Sequence, residues 1–267
     1  MLPISLLGSG ILNLFDERIT KFSLDTLKTI VKLINFPICV CGGWAVYYTI
    51  NDIFKEKKNR EYIGSQDIDI GFSLRPMMTK SELESTNLFK LLKILKSNGY
   101  RPEGFRYRKD FTYSEIGIED DKEKNETFAL YVDILVNSYP PSLYDIYPNC
   151  FFEVPLIERV YNNTQYQVEL SSTSDDLFIP TREILTAMKI QSISARGDAH
   201  HKKVKDLCDI YGLLWYSKKP VSKIIGGVLN FINVNSIKQL RDHVNEGLIT
   251  ECERIPWRIK RFFEYSS

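Results

Sequence analysis

In the stretch Asp67-Ile68-Asp69-Ile70-Gly71-Phe72, acidic and apolar residues alternate before the run turns fully apolar. A period of two marks a strand whose two faces meet different surroundings. Side chains at i and i+2 of a strand point the same way, so Asp67 and Asp69 project side by side while Ile68 and Ile70 enter the core. Two carboxylates so placed repel, and one stays protonated unless a cation neutralises both. Oxygen-only ligands of this kind suit magnesium or manganese, which keep water and accept phosphate oxygens as further ligands. The plainer reading of the same residues is an Asp pair that caps a turn or faces solvent.

Upstream, Pro37-Ile38-Cys39-Val40-Cys41 is short and β-branched, and Gly42-Gly43 closes it. It reads as a buried strand, and residues 44–50, apolar on nearly every side, read as a buried helix that opens at the glycines. A glycine pair between strand and helix lets the backbone approach an anion, and the helix N-terminus offers N–H groups and a partial positive charge. A tight turn without a ligand satisfies the same residues. Downstream, Asp133 stands alone in the apolar strand Tyr131-Val132-Asp133-Ile134-Leu135. An ionised carboxylate buried there without a partner costs several kcal/mol. The compensation is an Arg or Lys, or the same metals that Asp67 and Asp69 bind. A third carboxylate can also take the proton from an attacking hydroxyl.

The order strand, Gly-Gly, helix, strand with Asp-x-Asp, later strand with a lone Asp is far more specific than any one part. It resembles the nucleotidyltransferase fold, the superfamily of minimal nucleotidyltransferases and polymerase β-like enzymes. The residues that carry the likeness are Cys41-Gly42-Gly43-Trp44-Ala45-Val46, Ser65-Gln66-Asp67-Ile68-Asp69-Ile70 and Val132-Asp133-Ile134. The resemblance implies an α+β class, with a mixed β-sheet flanked by helices and a helical C-terminal domain. It also implies that Gly42, Gly43 and Ser65 contact a nucleoside triphosphate such as ATP. Asp67, Asp69 and Asp133 would be the catalytic carboxylates, holding two Mg2+ (or Mn2+) ions. Between Gly43 and Asp67 lie 23 residues, more than the family's usual spacing, so residues 51–62 are expected to loop out.

Toward the C-terminus, Thr181-Arg182-Glu183-Ile184-Leu185-Thr186-Ala187-Met188-Lys189 leads through Ala195-Arg196-Gly197 to Lys203-Val204-Lys205-Asp206-Leu207-Cys208-Asp209. A helix with one Lys, a short basic loop and a Lys-Asp-x-x-Asp helix look like the AbiEii-type toxin nucleotidyltransferases, over roughly residues 36–216. That likeness makes Lys189 a phosphate contact. It implies a toxin with a cognate antitoxin protein, and tRNA or other RNA as acceptor. From physics alone, Lys189 on an apolar helix stretch either snorkels or is aimed at an anion. Asp206 and Asp209, one turn apart, are also placed to neutralise Arg196, Lys202 or Lys203. Two other readings stand beside this one. The first is transfer to a small hydroxylated molecule, as in aminoglycoside nucleotidyltransferases, whose Gly-Gly-Trp-Ala-Val and Asp-Ile-Asp-Ile segments look much the same. The second is a non-catalytic nucleotide-binding module.

The wider composition bounds these readings. The chain has 267 residues, 43% hydrophobic and 26% charged, with net charge +1, which excludes global disorder. No apolar run approaches a membrane span, and the opening residues lack the pattern of a signal peptide. Five scattered cysteines, an odd number, suit reduced thiols in a cytoplasmic protein. Residues 1–180 carry 20 Lys+Arg against 25 Asp+Glu, and residues 181–267 carry 15 against 9. A basic C-terminal third can meet a polyanion or can be a solvated helical surface.

Two domains are expected, a catalytic one over 1–180 and a helical one over 181–267. Further expectations are helices over 16–35 and 81–98, strands within 100–137, an acidic turn over 119–126 and a hairpin around Asn162-Asn163. Four more helices are expected after Pro180. Gly8-Ser9-Gly10 lacks the third glycine of a phosphate loop. Adjacent His200 and His201 point different ways on a helix, against a metal role. The aromatic and basic tail over 254–263 suits a docked helix or nucleic-acid stacking.

Overall fold

The computed structural model describes residues 17–104, 106–117, 125–147, 151–170, 177–197 and 199–243. The chain divides into two compact units. Arg18–Ala45 and Ser65–Thr181 make one, which holds the sheet; Val46–Gly64 and, among the described residues, 182–243 belong to the other. The change of unit at Arg182 falls two residues past Pro180, while residues 46–64 join the helical unit rather than the sheet unit.

Helix α1, Glu17–Leu33, buries Ile19, Leu27, Ile30 and Val31 and carries Glu17 in its first turn and Lys32 in its last, each charge favourable to the helix dipole. Strand β1, Ile38–Val40, is wholly buried. Helix α2, Gly42–Lys58, starts at the glycine pair and ends among Lys55, Lys57 and Lys58. It corrects the expectation that residues 51–62 loop out. Buried Phe54 and Tyr62, with rings 5.4 Å apart, keep this stretch packed, and the lysines suit a helix C-terminus. Strand β2 is Ile68–Phe72.

Helices α3, Lys80–Glu84, and α4, Asn87–Ser97, replace the single helix expected over 81–98. A capping box between Thr79 and Glu82 opens the first, and Thr86 accepts a hydrogen bond from Phe89 N to open the second. Thr86 therefore starts a new helix in the middle of a continuous apolar pattern. Strands β3, Arg101–Glu103, β4, Arg106–Thr112, and β5, Thr127–Val136, follow. The acidic turn over 119–126 lies for the most part outside the described residues.

After helix α5, Pro141–Ile146, and strand β6, Phe152–Glu153, comes helix α6, Leu156–Asn162. It stands where a hairpin was expected. Leu156, Ile157 and Val160 are buried at helical spacing, and Asn163 accepts from Gln165 N to turn the chain after the helix. Strands β7, Gln167–Glu169, and β8, Leu177–Pro180, complete the sheet. The helical run is α7, Arg182–Ala195; α8, His200–Trp215; α9, Val221–Val228; and α10, Val234–His243. Residues 1–16 and 244–267, with Gly8-Ser9-Gly10 and the aromatic tail, lie outside the described residues.

The eight strands form one mixed sheet in the order β3-β4-β5-β2-β1-β8-β7, with β6 against β5. Pairs β2/β5 and β1/β8 are parallel, whereas β1/β2, β4/β5 and β3/β4 are antiparallel. Phe22 of α1 packs edge-on against Phe111 of β4 and Phe128 of β5, with ring centroids 4.8 and 5.8 Å apart. Ile157 of α6 lies against Gly71, and Tyr161 Oη donates to the Gly71 carbonyl at 2.8 Å. The sheet unit is thus the expected mixed sheet flanked by helices.

In the helical unit, Arg182 donates to the carbonyls of Thr49 and Leu213. Its guanidinium thereby ties α2 and α8 to α7. Among the described residues no helix is long and apolar enough to cross a membrane.

Candidate active site

The geometry starts at the bend after β1. Gly42 has φ +59°, a left-handed value that favours glycine. A Cβ on Gly42 would sit 1.8 Å from Asp69 Oδ2, so the Asp69 carboxylate occupies the space that only a glycine leaves open. Cys41 N donates to the Asp69 carbonyl at 2.9 Å, and Ala45 N donates to the Cys41 carbonyl at 3.2 Å. These bonds fix the start of α2 against the acidic strand. Gly43 is buried, and Ser65 lies half-buried two residues ahead of Asp67.

Strands β2 and β5 are parallel neighbours, with Asp69 directly beside Asp133. Residues paired in register on adjacent strands share a face. Asp69 and Asp133 therefore lie on the face of the glycine bend, and Asp67 joins them through a common partner, Arg106. Its Nε donates to Asp133 Oδ1 at 2.8 Å and its Nη2 to Asp133 Oδ2 at 2.6 Å, a two-pronged pair. The same Nη2 reaches Asp67 Oδ2 at 3.1 Å. The guanidinium carbon also lies 4.1 Å from the centre of the Tyr131 ring, within cation–π range. Arg106 faces Asp133, and Arg108 faces Tyr131, across the antiparallel β4/β5 pair. Burial works against the Arg106 charge, but the Asp133 and Asp67 carboxylates more than offset it, so the guanidinium pKa is raised.

Sequence reasoning named the need for a compensating charge at Asp133 but not its source. The signal lies in the alternation of β4, where buried Tyr107 and Phe111 leave Arg106 and Arg108 on the other face. It becomes informative only when the β4/β5 register is known.

The donor set suits a hard divalent ion in chemistry, since it is all carboxylate: Asp69 and Asp133 come from the parallel neighbours β2 and β5, Asp67 lies just ahead of β2, and Asp69 abuts a glycine bend at a helix N-terminus. The arrangement is closed, however, because Arg106 joins Asp67 to Asp133. Among the described residues no three His, Cys, Asp or Glu side chains stand ready to hold one ion. The carboxylates suit the expected cations in chemistry, but in placement, with Arg106 between Asp67 and Asp133, they do not form a ready set of three ligands.

Lys189, Asp206 and Asp209 belong to the helical unit. There Lys189 Nζ lies 2.7 Å from Asp206 Oδ1 and 2.8 Å from Asp209 Oδ2. Asp206 also receives Arg196 Nε at 2.9 Å and Ser192 Oγ at 2.8 Å. Asp209 receives Lys205 and, at 2.7 Å, the Tyr62 hydroxyl. All three of Lys189, Asp206 and Asp209 are buried. Burial alone would raise the Asp206 pKa, but the Lys189 and Arg196 charges outweigh it and bring it to about 2. Burial first, and then the charge of Asp209, push the Tyr62 phenol well above its ordinary range. Of the pairings expected for the two aspartates, Arg196 is found; Lys189 and Lys205 supply the rest. Cys39 and Cys41 are buried in the sheet with sulfurs 3.8 Å apart, in keeping with core packing.

No protein-family model matches the chain, and no curated protein matches it. Among solved structures it is similar to an antigenic nucleotidyltransferase-like protein from Paracoccidioides brasiliensis. The two are 13% identical, the match covers 85% of this chain and 93% of the other, and the TM-score is 0.33.

Proposed function

We propose that the chain is a metal-dependent nucleotidyltransferase that moves a nucleoside monophosphate from a nucleoside triphosphate to an acceptor hydroxyl, with RNA as the acceptor class. One observation carries the reading: Asp69 stands in register with Asp133 while its carboxylate fills the space left by Gly42. An acidic pair pressed against the N-terminus of a helix would create repulsion with any bound phosphate unless cations stood between them. Asp67, Asp69 and Asp133 would hold divalent ions. Bound there, such ions neutralise phosphate charge and make the acceptor hydroxyl easier to deprotonate. Gly42 and Gly43 would present backbone N–H groups to the triphosphate, with Ser65 beside Asp67 as a further hydroxyl contact. Positioning of this kind supplies most of what phosphoryl-type transfer asks of a protein.

The RNA acceptor rests on the helical unit. Trp215 is half-exposed and stacks on Tyr211, with ring centroids 5.8 Å apart at 14°, and exposed Lys218, Lys219 and Lys223 follow it. Stacked rings beside lysines suit single-stranded nucleic acid. The finer AbiEii grouping rests on the Lys189 and Asp206-x-x-Asp209 pattern alone.

The test is incubation of the protein with each α-labelled nucleoside triphosphate, magnesium and either total RNA or a panel of aminoglycosides. Label on RNA is expected. Label on the small molecules alone would replace the acceptor class. Magnesium-dependent nucleotide binding without pyrophosphate release would make the chain a non-catalytic module.

A further inference from the structure

Past the C-terminal end of β5, the sheet unit forms an open recess of about 530 Å3, lined by Tyr139, Pro141, Tyr144, Asp145, Phe151 and Glu153. Its frame is fixed from two sides. Strand β6 pairs with the end of β5, Leu135 beside Phe152 and Val136 beside Glu153, and Val154 N donates to the Val136 carbonyl at 2.7 Å. Helix α5 opens at Pro141 and is anchored by buried Leu143, while Ser142 Oγ donates to the Met78 carbonyl. Tyr139 links the two sides. Its ring meets Tyr144 at 6.0 Å and 70° and Phe151 at 5.8 Å and 48°, and its hydroxyl donates to the Tyr147 carbonyl.

The lining is electrostatically of one sign. Aromatic faces are negative, and the charged residues of the lining, Asp145 and Glu153, are both acidic and exposed. Among the described residues neither makes a side-chain hydrogen bond or an ion pair, whereas exposed Glu103 and Asp110 of the same unit each pair with an arginine. We propose that the recess binds a small organic cation, its ammonium group lying against the Tyr139, Tyr144 and Phe151 rings and its charge matched by Asp145 and Glu153. Cations of this kind are attracted to ring faces, where a hard metal ion finds no ligand. The volume is that of a small-molecule pocket. Two carboxylates repel phosphate, so neither a nucleoside triphosphate nor RNA suits the recess, and the proposal stands apart from the transfer reading.

The experiment is calorimetric titration of the full chain with choline and with dimethylbutanol, which has the shape of choline without its charge. Choline should bind saturably, tighter than about 1 mM, and the neutral alcohol roughly tenfold more weakly. The double variant Asp145→Asn/Glu153→Gln should weaken choline by about tenfold and leave the alcohol unchanged. Tyr144→Ala removes one ring that is 53% exposed, and should weaken choline by roughly threefold or more. All three side chains lie at exposed positions, so the variants should keep the wild-type melting temperature to within a few degrees.

No saturable binding of choline, equal binding of the neutral alcohol, or unchanged choline affinity in the double variant overturns the proposal. If the double variant does not fold, Tyr144→Ala decides alone, and an unchanged affinity there overturns it. A peptide carrying trimethyllysine separates a free cation from a protein side chain. Binding of the peptide without binding of choline would make the occupant a partner protein and overturn the proposal, while displacement of the peptide by choline supports it. No nucleotide enters these titrations, so a failure of label transfer would sink the enzymatic reading and leave this result standing.

Discussion

Gly42 is the residue on which the site closes. It takes a left-handed conformation, and its missing side chain leaves the space that the Asp69 carboxylate fills. Gly42→Ala meets both obstacles at once, since the Cβ strains the backbone and collides with a carboxylate that cannot move far inside a paired strand. The expected cost is about 1–3 kcal/mol of stability, with loss of transfer activity. Urea unfolding beside a labelling assay measures both, and an alanine variant as stable and active as wild type contradicts the packing described. Asp133 has a different dependence. Its ionised form is tolerated in the sheet because Arg106 supplies a two-pronged partner. Asp133→Leu in the Arg106→Leu background should therefore be less destabilising than Asp133→Leu alone, because the single change strands a largely buried guanidinium. A double-mutant cycle in urea reads the coupling, and additive effects would contradict the pairing.

The same contrast between local and non-local information holds for the elements. The alternation of β2 and the apolar run around Asp133 are local patterns, so both strands and their acidic residues were legible in the amino-acid order. The in-register pairing of Asp69 with Asp133 was not, because it depends on β2 and β5 becoming parallel neighbours. Arg106 was hidden for the same reason, being 27 positions away from Asp133. Other differences have chemical causes. The C-terminal half of α2 is charged enough to read as a loop, yet buried Ile50 and Phe54, the latter against the Tyr62 and Tyr216 rings, hold it in the packing. At Thr86 a cap interrupts an apolar period that runs on unbroken in sequence. In α6, Asn162-Asn163 resembles a hairpin turn and outweighs a helical period only seven residues long.

Between α7 and α8, Lys189 is enclosed by Asp206 and Asp209. Lys189→Met would leave two buried carboxylates short of their shared ammonium, at a cost of about 3–5 kcal/mol. A loss below about 1 kcal/mol in urea unfolding would contradict the pairing. The pairing also predicts acid sensitivity. The folded-state pKa of Asp206, about 2, lies below its ordinary value of 3.8. Its contribution, about 2 kcal/mol, is complete above pH ~4 and is lost as pH falls toward 2. Asp206→Asn should therefore flatten the stability profile across that range, and an unchanged profile would count against the ion pair.

At the scale of the whole molecule, charge and topology divide the work. Residues 1–180 are net acidic and carry Asp67, Asp69 and Asp133; residues 181–267 are net basic. Under the proposed function, cations would bind in the acidic part and RNA in the basic part, and such a division of charge would favour both. RNA affinity should accordingly fall steeply between low and physiological salt. Trp215→Ala should weaken it by about 1–3 kcal/mol without altering the melting temperature by more than a few degrees. Salt-independent binding, or no change in Trp215→Ala, would remove the helical unit from RNA recognition. The central claim is that Asp67, Asp69 and Asp133 at the glycine bend transfer nucleotides. Its most direct test is label transfer from α-labelled nucleoside triphosphates, with magnesium, by wild type and by Asp69→Asn. Transfer by wild type and its loss in a folded Asp69→Asn variant is the predicted result. Equal transfer by the two proteins would contradict it.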